Sequence, residues 1–407
     1  MVEFEGKFNK AKVFIDNVEE TAVSQIIELC NQEFVQGSTI RIMPDTHAGA
    51  GCVIGTTMTI KDKVVPNLVG VDIGCGMLCV ELGNIDLDLP LIDKFIRNSI
   101  PSGFKINSQP QIDFKDEINN LKCIRELKKS PKEFNKALGS LGGGNHFIEI
   151  NATGENKYLV IHSGSRNMGL QIATYYQNKA FEYHSGMNNE YEIARENLIK
   201  KYKATNRKEE IQKGLANLKN HYKKESPIDK KLCYLEGQFM KDYLHDMDIA
   251  QIYSNINRIV MAQRIVKKIG LNYDDLKVFQ TIHNYIDIEN MMLRKGAVSA
   301  QKDEILLIPI NMRDGSLLCK GKGNPDWNYS APHGAGRLMS RTQANNTFKL
   351  DDFKASMEGI YTTSVNAGTL DEAPMAYKPI KDIVDNIQDT VEILEIIKPI
   401  YNFKAGK

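Results

Sequence analysis

Long apolar runs are missing from this chain of 407 residues. None approaches the roughly 18 consecutive apolar residues of a membrane span, and the N-terminal MVEFEGKFNK has no signal-peptide core. A membrane protein is therefore not expected, and a composition 42% hydrophobic and 25% charged predicts a soluble globular one. A disulfide framework is missing too: seven cysteines, odd in number and irregularly spaced, predict reduced thiols in a cytoplasm. Net charge is nearly absent, at +1, so no partner can be read from the overall balance. Residues 200 to 231 do hold eleven Lys/Arg against four Asp/Glu, and a solvated helical face is the simpler reading of that run than a nucleic-acid contact. Internal repeats, low-complexity tracts and linkers are also lacking, which leaves a single folding unit over 1–407 as the expectation.

What is present alternates between two textures. Residues 1 to 80 mix short strand-like runs (KVFI, TIRIM, CVIGTTMTI) with turns, and 85 to 136 read as mostly helical and polar. Strands and glycine turns return at 139 to 170, in LGSLGGGNHFIEI and YLVIHSGSR. A helical insertion is predicted over about 168–270, where Ile249, Ile252, Ile256, Ile259 and Val260 make one apolar stripe that ends near Gly270. Strands and glycine loops follow from 276 to 345, and the tail from 380 to 400 is predicted helical. β-rich blocks flanking a helical insertion predict an α+β fold rather than a regular βαβ alternation.

The polar residues that need explaining sit in the glycine-rich stretches. GVDIGCGM, residues 70 to 77, places Asp72 and Cys75 among Val71, Ile73 and Met77, as at the end of a buried strand. A buried aspartate is costly unless something pairs with it. Four of the eight histidines stand beside Gly, Asn or Ser at the ends of apolar runs: His146, His162, His283 and His333. Thiolate, carboxylate and imidazole together form a metal-ligand set suited to Mn²⁺, Zn²⁺ or Fe²⁺. The spacings are too long for a zinc finger, so such a site would be assembled from separate loops. His184, His221 and His245 fall in the polar helical segment and are expected at the surface.

Two glycine loops, GGGN at 142 to 145 and HGAGR at 333 to 337, would let backbone N–H groups approach an anion closely. Neither continues into Gly-Lys-Ser/Thr, so neither is a P-loop. The second is the more informative. It begins with a histidine, ends with Arg337 and is followed by Arg341, which puts a nucleophile or ligand within reach of two guanidiniums suited to phosphate.

Taken in order, GVDIGCGM, LGGGNHFIEI, IHSGSR, HNY, RKGAVSA, HGAGRLMSR and DEAPMAYK resemble the tRNA-splicing ligase RtcB family, from about residue 40 to the C-terminus, with the main interruption at about 100–245. The resemblance implies an RNA ligase that uses GTP and two Mn²⁺ ions to join a 2′,3′-cyclic phosphate or 3′-phosphate end to a 5′-hydroxyl end. It implies that His333 is the nucleophile that takes up GMP, and that Asp72, Cys75, His146, His162 and His283 are metal ligands, Cys75 being shared by both ions. By the same resemblance Asn145, Glu149, Tyr377 and Lys404, with Asn311 and the loop Gly334, Ala335 and Gly336, hold the nucleotide. Arg166, Lys295, Arg337 and Arg341 then face phosphates. The implied partner is RNA, the enzyme is expected to work as a monomer away from membranes, and the role is RNA repair or tRNA splicing. Under this reading Asp72 and Cys75 are ligands whose burial a cation offsets. Cys79 is expected in the core, and His47 and Cys52 are read as structural, in support of the site.

Two departures stand out. The family's Pro-Gly-Ser-Met is replaced by Pro309, Ile310, Asn311 and Met312, and Ala331-Pro332 precedes the nucleophile in place of a serine-cysteine type of pair. φ > 0 is costly for isoleucine, so the chain at Ile310 must take another path or never needed the glycine's freedom. A metal-dependent cyclic phosphodiesterase and a non-ligating RNA-binding paralogue are the alternatives. The first would not need His333 and the second should have lost ligands, yet both are intact.

Overall fold

The computed structural model describes residues 1–405, and its elements are mixed α and β as expected. One sheet has the strand order Val2–Glu5, Lys10–Val13, Ile40–His47, Ile54–Thr59, Met292–Lys295, Asn284–Asp287. A second runs Val278–Ile282, Gly76–Gly83, Asn156–Ser163, Phe147–Thr153, Val391–Lys404, Gly315–Gly321, Ile305–Asn311. Alternating side chains explain both: in the neighbouring strands Gly76–Gly83 and Asn156–Ser163, Leu78, Val80, Leu159 and Ile161 enter one core, while Met77, Cys79, Tyr158 and Val160 enter another on the opposite face.

The region predicted as one helical insertion is several pieces: Arg166–His184, Asn189–Ala204 and Ile211–Tyr222, then a two-residue strand, then Gly237–Lys268. Asn188 caps the second piece, accepting from the N–H groups of Glu190 and Tyr191. Along Gly237–Lys268, Ile249 and Val260 are buried and Ile256 and Ile259 partly so, but Ile252 is exposed; the stripe is narrower than its spacing suggests. His221 and His245 are exposed as expected. His184 is not: it is half-buried, its Nε2 3.1 Å from the Tyr234 carbonyl, with its ring edge-on to that tyrosine.

The tail corrects the prediction more sharply. Only Ile380–Val384 is helical, and Val391–Lys404 is a strand of 14 residues. Val391, Ile393, Ile396 and Ile397 also fit a helical period, but β-branched residues suit a pleated surface, and this stretch finds partners on both sides, Phe147–Thr153 and Gly315–Gly321. Pro399, which cannot donate to a ladder, falls at the register shift. No helix among the described residues is long and apolar enough to cross a membrane.

Candidate active site

The opening stretch is a loop rather than a strand end. The strand begins only at Gly76; Val71 is half exposed and the Asp72 side chain retains 29% of its exposure. Gly74, at φ +70°, turns the chain so that Cys75 points inward. The loop is pinned from behind by the helix Gly237–Lys268. Arg258, fully buried, donates to the carbonyls of Gly74 and Ser163, each at 2.8 Å. Beside it Asn257 accepts from the N–H groups of Gly139 and Ser140 and donates to the Ser140 and Gly164 carbonyls and the Ser163 hydroxyl. One helical turn thus fixes the backbone leading to Cys75, to His146 and to His162.

Cys75, His146 and His162 bring one donor atom each within 4.8 Å of one another, all buried. The thiol sulfur lies 3.4 Å from His146 Nε2 and 3.3 Å from His162 Nε2. Each ring has its other nitrogen on a backbone carbonyl, His146 Nδ1 on Leu141 at 2.9 Å and His162 Nδ1 on Asn145 at 3.1 Å. A carbonyl only accepts, so the proton belongs on Nδ1 and the Nε2 lone pair of each ring faces the sulfur. Asp72 adds a carboxylate oxygen 2.9 Å from His146 Nε2, and His283 adds its Nε2 3.4 Å from that of His162. Burial, then neighbouring positive charge, holds His162 and His283 well below the usual imidazole range. Burial and the Asp72 carboxylate push the Cys75 thiol up. Burial opposes ionisation of Asp72 itself, but His146, Cys75 and His162 together lower that carboxyl. One thiol proton cannot satisfy two imidazole lone pairs and a carboxylate in a buried space; a divalent cation that displaces that proton can, so this donor set fits a metal centre.

A cavity of about 220 Å³ opens on this cluster at His162. It gathers most of the remaining predicted residues: Asn145, Glu149, Asn311, His333, Gly334, Ala335, Gly336, Arg337, Arg341, Tyr377 and Lys404 all line it. His333 closes one end, its ring centroid 5.0 Å from that of His283. Gly336 has no room for a side chain, since a Cβ would lie 2.4 Å from the Asp45 carbonyl oxygen. His47 lines the same cavity, while Cys52 and Cys79 are buried in the core.

Two carboxylates that sequence reasoning missed organise this cavity. Asp45, fully buried, accepts at 2.6 Å from His333 Nδ1 and at 3.2 Å from the His333 backbone N–H. That holds the proton on Nδ1 and leaves Nε2 with its lone pair free. Glu372 accepts from Lys404, Arg341, Arg337 and, at 2.7 Å, Tyr377. Burial alone would raise its pKa, but Lys404 and Arg341 hold it down to about 2. Arg341 also donates to Asp371 at 2.9 Å. Glu372 lies in DEAPMAYK and Asp45 two residues before His47, but nothing about their spacing marks them: Asp45 and His333 are 288 residues apart.

Two expectations change. Lys295 does not face the cavity. It is 2% exposed and donates to three backbone carbonyls, of Ala50, Cys52 and Asn67, while burial pushes its pKa down to about 8. An ammonium has three protons, so none is left for a phosphate. Asn311 lines the cavity but spends its side chain on a turn, donating to Asp314 and accepting from the Arg313 and Asp314 N–H groups. Ile310, 2% exposed, belongs to the core within the strand Ile305–Asn311, where the register shifts; no positive φ is required of it. Arg166, also expected to face phosphates, lies on a second cavity, with its Nε on Ser140 Oγ and Nη2 on the Gly103 carbonyl.

Residues 25–405 match the family described as tRNA-splicing ligase RtcB. The chain is 29% identical to the RNA-splicing ligase RtcB of Escherichia coli (strain K12), over 95% of each chain. It is 27% identical to the tRNA-splicing ligase RtcB of Archaeoglobus fulgidus, over 90% of this chain and 87% of that one. To the RNA-splicing ligase RtcB2 of Escherichia coli (strain ATCC 25922) it is 23% identical over the same shares.

Proposed function

This chain belongs to the tRNA-splicing ligase RtcB family, and from that premise we propose that it joins a 3′-phosphate or 2′,3′-cyclic phosphate RNA end to a 5′-hydroxyl end, with GTP as co-substrate. The observation that carries this reading is His333: an imidazole whose Nδ1 proton is held by buried Asp45, with Nε2 free, at the end of a cavity that opens on the donor cluster. In the first step Nε2 forms a bond to the α-phosphorus of GTP as the bond to pyrophosphate breaks, and Asp45 offsets the positive charge that appears on the ring. A cyclic end is first opened by water, whose oxygen bonds to phosphorus as the P–O2′ bond breaks and the 2′-oxygen takes a proton; a 3′-phosphate oxygen of the RNA then takes GMP from the histidine, which is released as its Nε2–P bond breaks. The 5′-hydroxyl oxygen bonds to the RNA phosphorus, GMP leaves, and the hydroxyl proton departs with it.

Mn²⁺ ions held by Asp72, Cys75, His146, His162 and His283 would supply charge neutralisation at the phosphate oxygens. Glu149, 3% exposed and accepting from Asn402 and Asn151, is pushed up to about 7 by burial, against the opposing pull of Lys404. Ionised, it would accept from N1–H and N2–H of guanine, whereas adenine offers only an acceptor at N1. Tyr377 and Lys404, released from Glu372, and Asn145 complete the nucleotide contacts. Arg337 and Arg341 would exchange their carboxylate partners for phosphate oxygens.

The test is self-labelling. Incubated with Mn²⁺ and α-labelled GTP, the protein should acquire acid-labile, alkali-stable label, and His333→Ala should lose it with metal content near normal. Full labelling of the variant would move the nucleophile elsewhere.

A further inference from the structure

We infer that a second cavity, on the other side of the donor cluster, receives the terminal nucleoside of the RNA strand that carries the 5′-hydroxyl, with Phe104 as the platform on which its base stacks. This rests on the ligase reading above and deepens it.

The cavity, of about 470 Å³, is walled by Phe104, Ile106 and Leu170, with Arg166 and Lys129 as its cations. Asp72 and His146 line it, whereas His162 and His333 line the nucleotide-sized cavity; the donor cluster therefore lies between the two. Phe104 makes no use of its ring in folding. It is fully exposed, and no other phenylalanine among the described residues is. Yet its loop is tied down on both sides. The Gly103 N–H donates to Gly142 O at 2.8 Å, the Gly103 carbonyl accepts from Arg166 at 2.7 Å, and Ser102 pairs with Gly142. Gly142 itself must lack a side chain, because a Cβ there would strike the Arg166 guanidinium. The anchor is unusual enough that Arg166 holds φ +57° at the start of its helix.

An aromatic face presented by a tethered loop, beside two cations and a metal-ligand wall, matches what single-stranded RNA ends require: stacking for the base and positive charge for the backbone. The choice of strand follows from in-line displacement. GMP must leave toward the cavity that holds His333, so the attacking 5′-hydroxyl approaches the phosphorus from the opposite side, which is the Asp72–His146 side.

The experiment uses an oligonucleotide with a free 5′-hydroxyl and 2-aminopurine as its first base, whose fluorescence is quenched when it stacks. Wild-type protein should quench it, Phe104→Ala should not, and Phe104→Trp should restore quenching. In ligation, Phe104→Ala should raise KM for the 5′-hydroxyl strand about tenfold or more, the loss of one base stack. KM for the 3′-phosphate strand should stay within about twofold, and the GMP-capped 3′ end should accumulate. A KM effect confined to the 3′-phosphate strand, or quenching and KM unchanged in Phe104→Ala, overturns the assignment. Failure of the ligase reading looks different: wild-type protein takes no label from GTP, while Phe104-dependent quenching still reports an RNA site. Because the Phe104 ring contributes nothing to the core, these variants should fold normally.

Discussion

Around Cys75, two imidazole lone pairs and a carboxylate share a single thiol proton, whereas around Glu372 every acceptor already has a cation or a hydroxyl. The two regions are neighbours, and both are assembled from distant loops. The first is an unbalanced charge arrangement held open by a rigid scaffold, with Asn257 and Arg258 behind it. The second is balanced within itself, so anything anionic that enters must break existing ion pairs. A prebuilt centre should therefore fail abruptly when a donor is removed, and a self-neutralised cavity should respond by degrees and with pH.

The largest effect is expected at Cys75. Cys75→Ala should lose bound Mn²⁺ and ligation together, and metal added to saturation should no longer raise the melting temperature. For wild-type protein the expected stabilisation is about 3 kcal/mol when metal is present at roughly 100 times its dissociation constant. A variant that ligates at the wild-type rate would reduce Cys75 to a core thiol and erase the contrast.

A smaller effect tests the scaffold. Asn257→Ala removes no donor atom from the cluster but leaves the Gly139 and Ser140 N–H groups unpartnered. Mn²⁺ affinity, read by titration, should fall by about 10- to 100-fold, the range typical of groups that orient metal ligands. Stability should drop by about 1–3 kcal/mol for the buried groups left unpaired. Unchanged affinity would mean that the loops hold themselves in place.

The smallest effect lies on the nucleotide side and concerns sign. Burial raises Glu149 from 4.5 to about 7, so its contribution favours the folded state fully below pH 4.5 and is lost as pH rises through 7. Glu372 runs the other way: lowered from 4.5 to about 2, it stabilises above pH 4.5 and loses that only as pH falls toward 2. Between pH 5 and 8 only Glu149 of this pair should slope. Glu149→Gln, neutral throughout, should flatten the nucleotide-free stability profile by on the order of 2 kcal/mol and narrow the preference for GTP over ATP in self-labelling. An unchanged profile would mean that Glu149 is already ionised in the fold.

The contrast also explains what could be read in advance. His146, His162, His283 and His333 were legible because each breaks an apolar run beside a residue that turns the chain. Asp45 and Glu372 carry no such signature; their significance lies wholly in partners brought in by the fold. Lys295 misled for the converse reason, since a cation in a motif can just as well hold three carbonyls together. Strands in the first 80 residues were visible in their alternation, but Val391–Lys404 was not, because its apolar spacing fits two periods and only its neighbours decide between them.

That strand has a consequence for how the protein comes into being. It lies inside the second sheet, between partners more than 60 residues away in sequence; it carries Lys404 into the cavity lined by His333 and sets Asn402 against Glu149 behind it. A chain still on the ribosome with its last residue before 391 has two unpaired sheet edges facing a gap, and its cavity lacks a wall. An interrupted product lacks Lys404 at that cavity and exposes edges prone to pairing with other chains. The cavity is complete only when the last strand of the chain is in place.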